Sequence, residues 1–349
     1  MTRLLECEAN LARFDSFLQD NKLYGFVFSK CSAANLLDCL PKEFRRNMQE
    51  QYARQTKRNL RLLSETSVLG ELYEQREIDA IFIKGPVSVV EYYEHLGERL
   101  VWDIDVLLRS KVDLDPACGL LESEGYELQS KPFFGKTLSI MFTHHYEYRK
   151  VGVKLDLHWV LQSHFSYRLD NDRVWATRKS YDIDGTSVNG LSYEYEILLR
   201  TISIFTDLQR GANCYRAFID MYLLLEKLYE KINWDDYFQE RARERLLTIS
   251  VNVLDLFMEI FGVAGRYPEL ENHIALRASS IVLKDSAQKR SLLISTPLSM
   301  RNKVWGLRAY ETNLVLAVLW WIVSIPVKMT IYRSVLMKPL QQLVKKTTV

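Results

Sequence analysis

RLVWDIDVLL, residues 99–108, reads as a buried strand that carries two carboxylates. An ionised carboxylate taken out of water without a partner is costly, so something must compensate Asp103 and Asp105. Side chains alternate along a strand. Asp103 and Asp105 therefore share one face, and Trp102, Ile104, Val106 and Leu108 share the other. Residues 153–160 repeat the pattern, with Lys154, Asp156 and His158 on one face and Val153, Leu155, Leu157 and Trp159 on the opposite one. If the two strands are neighbours, three Asp converge. Converging carboxylates repel unless a cation lies between them, and Mg²⁺ suits, since it shares hard oxygen ligands between carboxylates, water and substrate phosphates. The plainer alternative is a solvated sheet face on which Arg99 or Lys154 pairs with the acids.

A phosphate side can be read just upstream. Asp79-Ala-Ile-Phe-Ile-Lys-Gly85 is a short strand ending in Gly, with a short helix expected over 86–94. A Gly there lets backbone N–H groups approach phosphate, and Ser88 falls near a helix start that favours anions. Lys84, Gly85 and Ser88 are thus candidate phosphate contacts. His158, on the face of Asp156, is a candidate to orient that carboxylate, bind metal or touch an acceptor; a structural hydrogen-bonding role is the alternative.

The rest of the chain divides around this segment. Residues 1–78 read as helical: Pro41 suits a helix start, and Phe44, Met48 and Tyr52 recur at four-residue spacing. Arg54, Lys57, Arg58 and Arg61 form a basic stripe there, either a solvated face or a phosphate contact. Strands are expected over 100–108, 146–150 and 153–160, a helix over 116–124 stopped by Gly125, and a strand pair over 181–188 turning at Gly185. From Leu191 the pattern is helical again, so residues 79–190 form a strand-rich core and 191–349 a helical region. Strands followed by segregated helices indicate α+β.

The 349 residues carry a net charge of +2, which argues against a nucleic-acid partner, and five Cys without paired spacing, which reads as thiols in a reducing cytoplasm. Glu6 and Glu8 stand where a signal peptide needs its apolar stretch. The apolar run Leu314–Val327 is shorter than the ~20 residues of a membrane span and reads as a buried helix. The basic residues after it offer a second reading, peripheral contact with the inner face of the membrane.

Taken in order, Lys84-Gly85, Tyr92 or Tyr93, Arg99, Asp103-Ile104-Asp105, Gly125-Tyr126, His144 or His145, Leu155-Asp156-Leu157-His158-Trp159 and Asp220 resemble a known pattern. It is that of the bacterial branch of uncharacterised nucleotidyltransferases within the polymerase-β-like superfamily, and the likeness runs from about residue 20 to 230. The resemblance implies a minimal nucleotidyltransferase mixed sheet with helices, flanked by the two helical regions. It also implies Mg²⁺ or Mn²⁺ held by Asp103, Asp105 and Asp156, with Asp156 helping to deprotonate the attacking hydroxyl. Lys84, Gly85, Ser88 and Arg99 become nucleotide contacts, and His158, His145 and Lys154 acceptor-side or supporting residues. The implied reaction is transfer of a nucleoside monophosphate from an NTP, expected to be ATP, to a hydroxyl, phosphate or protein acceptor. The chain departs from the wider superfamily by having Gly85-Pro86 at the phosphate turn, where proline lacks an N–H. Phe205 and Thr206 stand where close relatives carry His. A nucleotide- or partner-binding module without catalysis is the competing expectation.

Overall fold

The computed structural model describes residues 8–129, 145–161, 167–282 and 289. His144, the run Leu314–Val327 and the basic tail lie outside the described residues. Among those described, no helix is long and apolar enough to cross a membrane.

Helices α1 (Glu8–Asn21), α2 (Tyr24–Ala33) and α3 (Lys42–Gln75) lead in. Pro41 caps α3, where a missing N–H costs nothing because the first-turn donors have no partner within the helix. This helix of 34 residues serves two cores. Phe44 and Met48 pack with Leu18, Leu23 and Tyr24 of the lead-in. Leu62, Leu63, Leu69 and Tyr73 pack instead on the sheet.

Seven strands follow: β1 (Ala80–Ile83), β2 (Ile104–Leu108), β3 (Glu127–Leu128), β4 (His145–Lys150), β5 (Val153–His158), β6 (Lys179–Ile183) and β7 (Thr186–Gly190). They form one mixed sheet in the order β3-β4-β5-β2-β1-β7-β6. The central pair β2 and β5 is parallel, whereas β1–β2 and β4–β5 are antiparallel. The α+β class expected from the sequence is the class observed. Between strands lie α4 (Gly85–Tyr92), α5 (Leu114–Ser123) and α6 (Asn171–Ala176).

Period-two alternation decides the two faces. Phe82, Ile104, Val106, Leu108, Leu155, Leu157, Tyr146 and Tyr148 point to the side covered by α3 and α5. Ile81, Ile83 and Leu107 point the other way, into the core of the C-terminal helices. Those helices are α7 (Tyr193–Arg210), α8 (Tyr215–Leu228), α9 (Trp234–Arg243), α10 (Leu247–Phe261) and α11 (Pro268–Leu276).

The strand expected from Leu100 begins only at Ile104. Polar side chains of α3 hold the preceding loop off the ladder. Asn59 Nδ2 donates to the carbonyls of Leu96 and Arg99, both at 2.6 Å, and Arg58 donates to those of Val101 and Trp102 at 2.7 and 2.8 Å. Trp102, expected on the apolar face, is therefore 45% exposed, with the Arg58 guanidinium 4.8 Å from its ring centroid. Two members of the basic stripe thus serve loop carbonyls, since Arg61 likewise donates to Val151 beside Gly152.

Candidate active site

The parallel register of β2 and β5 pairs Asp105 with Asp156 and Leu107 with His158. On the other side of β5, Glu147 faces Asp156 and His145 faces His158. Side chains of paired residues emerge on the same face of a sheet, so one polar patch gathers Asp103, Asp105, Asp156, Lys154, His158, His145 and Glu147.

Lys154 is the compensating cation within this patch. Its Nζ donates to Asp156 Oδ2 at 2.7 Å and to Asp103 Oδ2 at 3.3 Å, and lies 3.7 Å from Glu147 Oε2. These carboxylates raise the Lys154 pKa despite its partial burial. Asp105 is compensated separately, by His158 Nε2 at 3.0 Å from Oδ1. A carboxylate can only accept, so Nε2 carries the proton. Burial pushes the Asp105 carboxyl up, but the His158 hydrogen bond and charge outweigh it and hold the group below its usual range. Burial raises Asp103, reinforced by the charge of Asp105, and burial raises Asp156 against the pull of Lys154. The His145 pKa is lowered by burial and by neighbouring His158, with the two rings 5.1 Å apart.

Among the described residues, no three His, Cys, Asp or Glu side chains are grouped closely enough to count as a metal centre. A lysine ammonium, where a divalent cation was expected, bridges Asp103 and Asp156. The donor set nonetheless fits a hard cation. Asp156 Oδ1 is buried without a hydrogen-bond partner, and the oxygen-rich chemistry suits Mg²⁺ or Mn²⁺.

The turn before α4 lies against this patch. Lys84 adopts φ 57° and ψ −142°, and Gly85 has φ 36°. A Cβ on Gly85 would stand 2.9 Å from the Asp103 carbonyl oxygen, so glycine is what lets the turn close on the carboxylate loop. Pro86 occupies the start of α4, where its missing N–H is tolerated. Lys84 is half-buried, and its charge favours ionised Asp103 and Asp105.

Two candidate nucleotide contacts are used elsewhere. Ser88 is fully buried and its Oγ accepts from Arg200 Nη2 at 2.5 Å, a bond directed into the helical half. Arg99 is also buried, donating through Nε and Nη2 to Asp220 at 2.8 and 2.9 Å. Tyr93 donates to the same carboxylate at 2.5 Å. Burial would raise Asp220, but Arg99 and Arg200 dominate and hold it far below the usual carboxylate range. The Arg and Asp of the sequence pattern thus form the joint between sheet and helical half. Of the remaining pattern residues, Tyr126 donates to Glu65 at 2.7 Å, and Trp159 packs edge-on against Tyr146.

Sequence reading missed Glu147, although its period-two spacing with His145 on a strand beside β5 was available. It also missed Lys22, whose charge acts on Asp103 from the turn between α1 and α2.

Residues 8–262 match the family described as uncharacterised nucleotidyltransferase. Among solved structures, an antigenic nucleotidyltransferase-like protein from Paracoccidioides brasiliensis is similar at 16% identity and a TM-score of 0.38, covering 65% of this chain and 95% of its own. The antibiotic-resistance factor ANT(2'')-Ia is similar at 12% identity and a TM-score of 0.34, covering 52% and 89%. No curated protein matches the chain.

Proposed function

The chain belongs to the uncharacterised nucleotidyltransferase family, and from that premise we propose that it transfers a nucleoside monophosphate from an NTP to a hydroxyl, phosphate or protein acceptor, releasing pyrophosphate. The observation that carries the proposal is the register of β2 and β5, which joins Asp105 and Asp156 beside the Lys84-Gly85 turn. In this reading Asp103, Asp105 and Asp156 would hold Mg²⁺ or Mn²⁺. When bound, such a cation neutralises phosphate charge and clamps the attacking and leaving oxygens.

The chain's own residues have distinct tasks. Gly85 allows the phosphate turn to approach Asp103, and Lys84 offers its ammonium to the phosphates. His158 fixes the rotamer and charge of Asp105. Asp156, with its raised pKa and free oxygen, is suited to receive the proton of an attacking hydroxyl. Lys154 neutralises the patch before substrate arrives and, once displaced from Asp156, can turn to the acceptor or to a phosphate.

The second reading is a nucleotide-binding module without catalysis. Lys154 favours it, because a fixed ammonium already bridges two of the three carboxylates. One experiment separates them. Incubation with α-labelled NTPs, Mg²⁺ and cell extract should yield a labelled product with wild type and none with Asp105→Asn. Melting curves of both proteins with and without Mg²⁺-ATP should show a ligand-induced rise that the variant largely loses. A rise in wild type with no labelled product from any NTP would favour the binding module.

A further inference from the structure

We propose that Glu147 is a positioning residue for Lys154: when a divalent cation enters between Asp103 and Asp156, the Lys154 ammonium moves over to Glu147, so the site loads by exchanging a tethered cation for a free one. This rests on the metal-dependent transfer reading above and gives a task to a carboxylate outside the three Asp.

Sheet register supplies the geometry. Glu147 of β4 faces Asp156 of β5, and Arg149 faces Lys154, so all four side chains emerge on one face. Arg149 occupies Oε1 of Glu147, through Nε at 2.9 Å and Nη2 at 2.8 Å. Oε2 of Glu147 is turned to Lys154 instead, 3.7 Å from Nζ. The ammonium itself lies closer to the two aspartates, 2.7 Å from Asp156 Oδ2 and 3.3 Å from Asp103 Oδ2. Lys154 thus stands between two sets of carboxylates and is bonded to one set. Shortening the Glu147 contact to a charge-assisted bond of about 2.8 Å asks only for rotation at the end of a flexible four-carbon stem.

The charges require an exchange. Asp156 is 9% exposed, and its Oδ1 is buried without a hydrogen-bond partner while Oδ2 is taken by Lys154. A divalent cation held by Asp103 and Asp156 would have to share both carboxylates with the ammonium, and two cations that close in a partly buried site repel strongly. Glu147 offers the ammonium a carboxylate within reach, so it can leave the aspartates without being stranded. The Lys154 and Glu147 side chains are 27% and 28% exposed, so the new pair is weak enough to reverse when the metal departs. Before any acceptor or phosphate reaches Lys154, the protein itself therefore supplies its second position.

The test is titration of the full-length protein with Mn²⁺ alone, free Mn²⁺ being read by electron paramagnetic resonance, with no nucleotide present. Wild type is compared with Lys154→Met, Lys154→Arg, Glu147→Gln and the double variant Lys154→Met/Glu147→Gln. Lys154→Met should bind Mn²⁺ about tenfold more tightly, the scale of one charge-assisted bond that no longer has to be broken. Lys154→Arg keeps a cation over the aspartates and should stay near wild type. Glu147→Gln leaves the Lys154 bonds to both aspartates in place and should bind Mn²⁺ about threefold more weakly, the scale of a half-exposed pair. In the Lys154→Met background the same exchange should matter much less, because no ammonium needs a second position. Mn²⁺ affinity equal to wild type in Glu147→Gln overturns the proposal, and this holds even if Lys154→Met does not fold. A Glu147→Gln loss as large without Lys154 as with it also overturns it, since Glu147 would then act on the metal directly; in both cases metal-dependent transfer still stands. If neither wild type nor any variant takes up Mn²⁺, the metal-dependent reading fails and the exchange fails with it.

Discussion

Asp105 and Asp156 are register partners across the parallel contact of β2 with β5, yet each is held by a different side chain: His158 hydrogen-bonds Asp105, and the Lys154 ammonium pairs with Asp156. The arrangement gives the two carboxylates separate partners and makes each partner individually testable.

Lys154→Met removes the ammonium shared by Asp103 and Asp156. The cost expected is about 1–3 kcal/mol, below the ~3–5 kcal/mol of a fully buried broken pair, because water reaches these side chains in part. Urea unfolding measures it. The same variant should be stabilised by Mg²⁺ alone more than wild type is, since nothing then competes for the carboxylates.

Gly85→Ala places a methyl 2.9 Å from the Asp103 carbonyl, at a φ of 36° that L-residues avoid. A destabilisation of about 1–3 kcal/mol is expected, with a larger relative loss of nucleotide affinity because the turn must retreat from the carboxylates. Equal ATP affinity in the variant would show that the turn does not contact nucleotide.

Arg99→Met removes the bidentate partner of buried Asp220 and leaves it to Tyr93 and to Arg200, whose Nε lies 3.6 Å away. Breaking such a buried pair costs about 3–5 kcal/mol, to be read as a lower midpoint in chemical denaturation. Ser88→Ala should be milder, about 1 kcal/mol for one hydrogen bond, with ATP affinity unchanged. A selective loss of ATP affinity in Ser88→Ala would restore that residue to the phosphate site.

Acid unfolding should show two opposed contributions. Asp220 is depressed in the fold, so its stabilisation is present above the unfolded carboxylate value near ~3.9 and is lost as pH falls below it toward the folded pKa. Asp103 and Asp156 are raised, so their ionisation penalises the fold at neutral pH, and that penalty is relieved as pH falls through their folded values. Stability in urea should therefore hold or rise slightly from pH 7 toward about 4 and drop below it. Asp220→Asn should be less stable at neutral pH and should lose much of the acid drop.

What could be read from sequence was what local sterics encode. Alternation along residues 103–108 and 153–158 placed Asp105, Asp156 and His158 on polar faces, because successive side chains of a strand must point oppositely. Pro41 opens α3 and Gly125 follows α5, since each suits the backbone needed there. The ordered residues from Lys84 to Asp220 pointed to the family that the chain matches.

Partners could not be read, because alternation determines a face and says nothing about what lies across it. Arg99 looked like a phosphate ligand until folding brought Asp220 to it from 121 positions away. A buried guanidinium must find a carboxylate, and only the docking of α8 on the sheet supplies one. Ser88 turned inward for the same reason, to meet Arg200. Local sequence thus determined the strands and which side of each was polar. The tertiary structure alone decided that Lys154 would lie between Asp103 and Asp156, and that Arg99 would meet Asp220, because charges far apart in the chain become neighbours only through long-range packing.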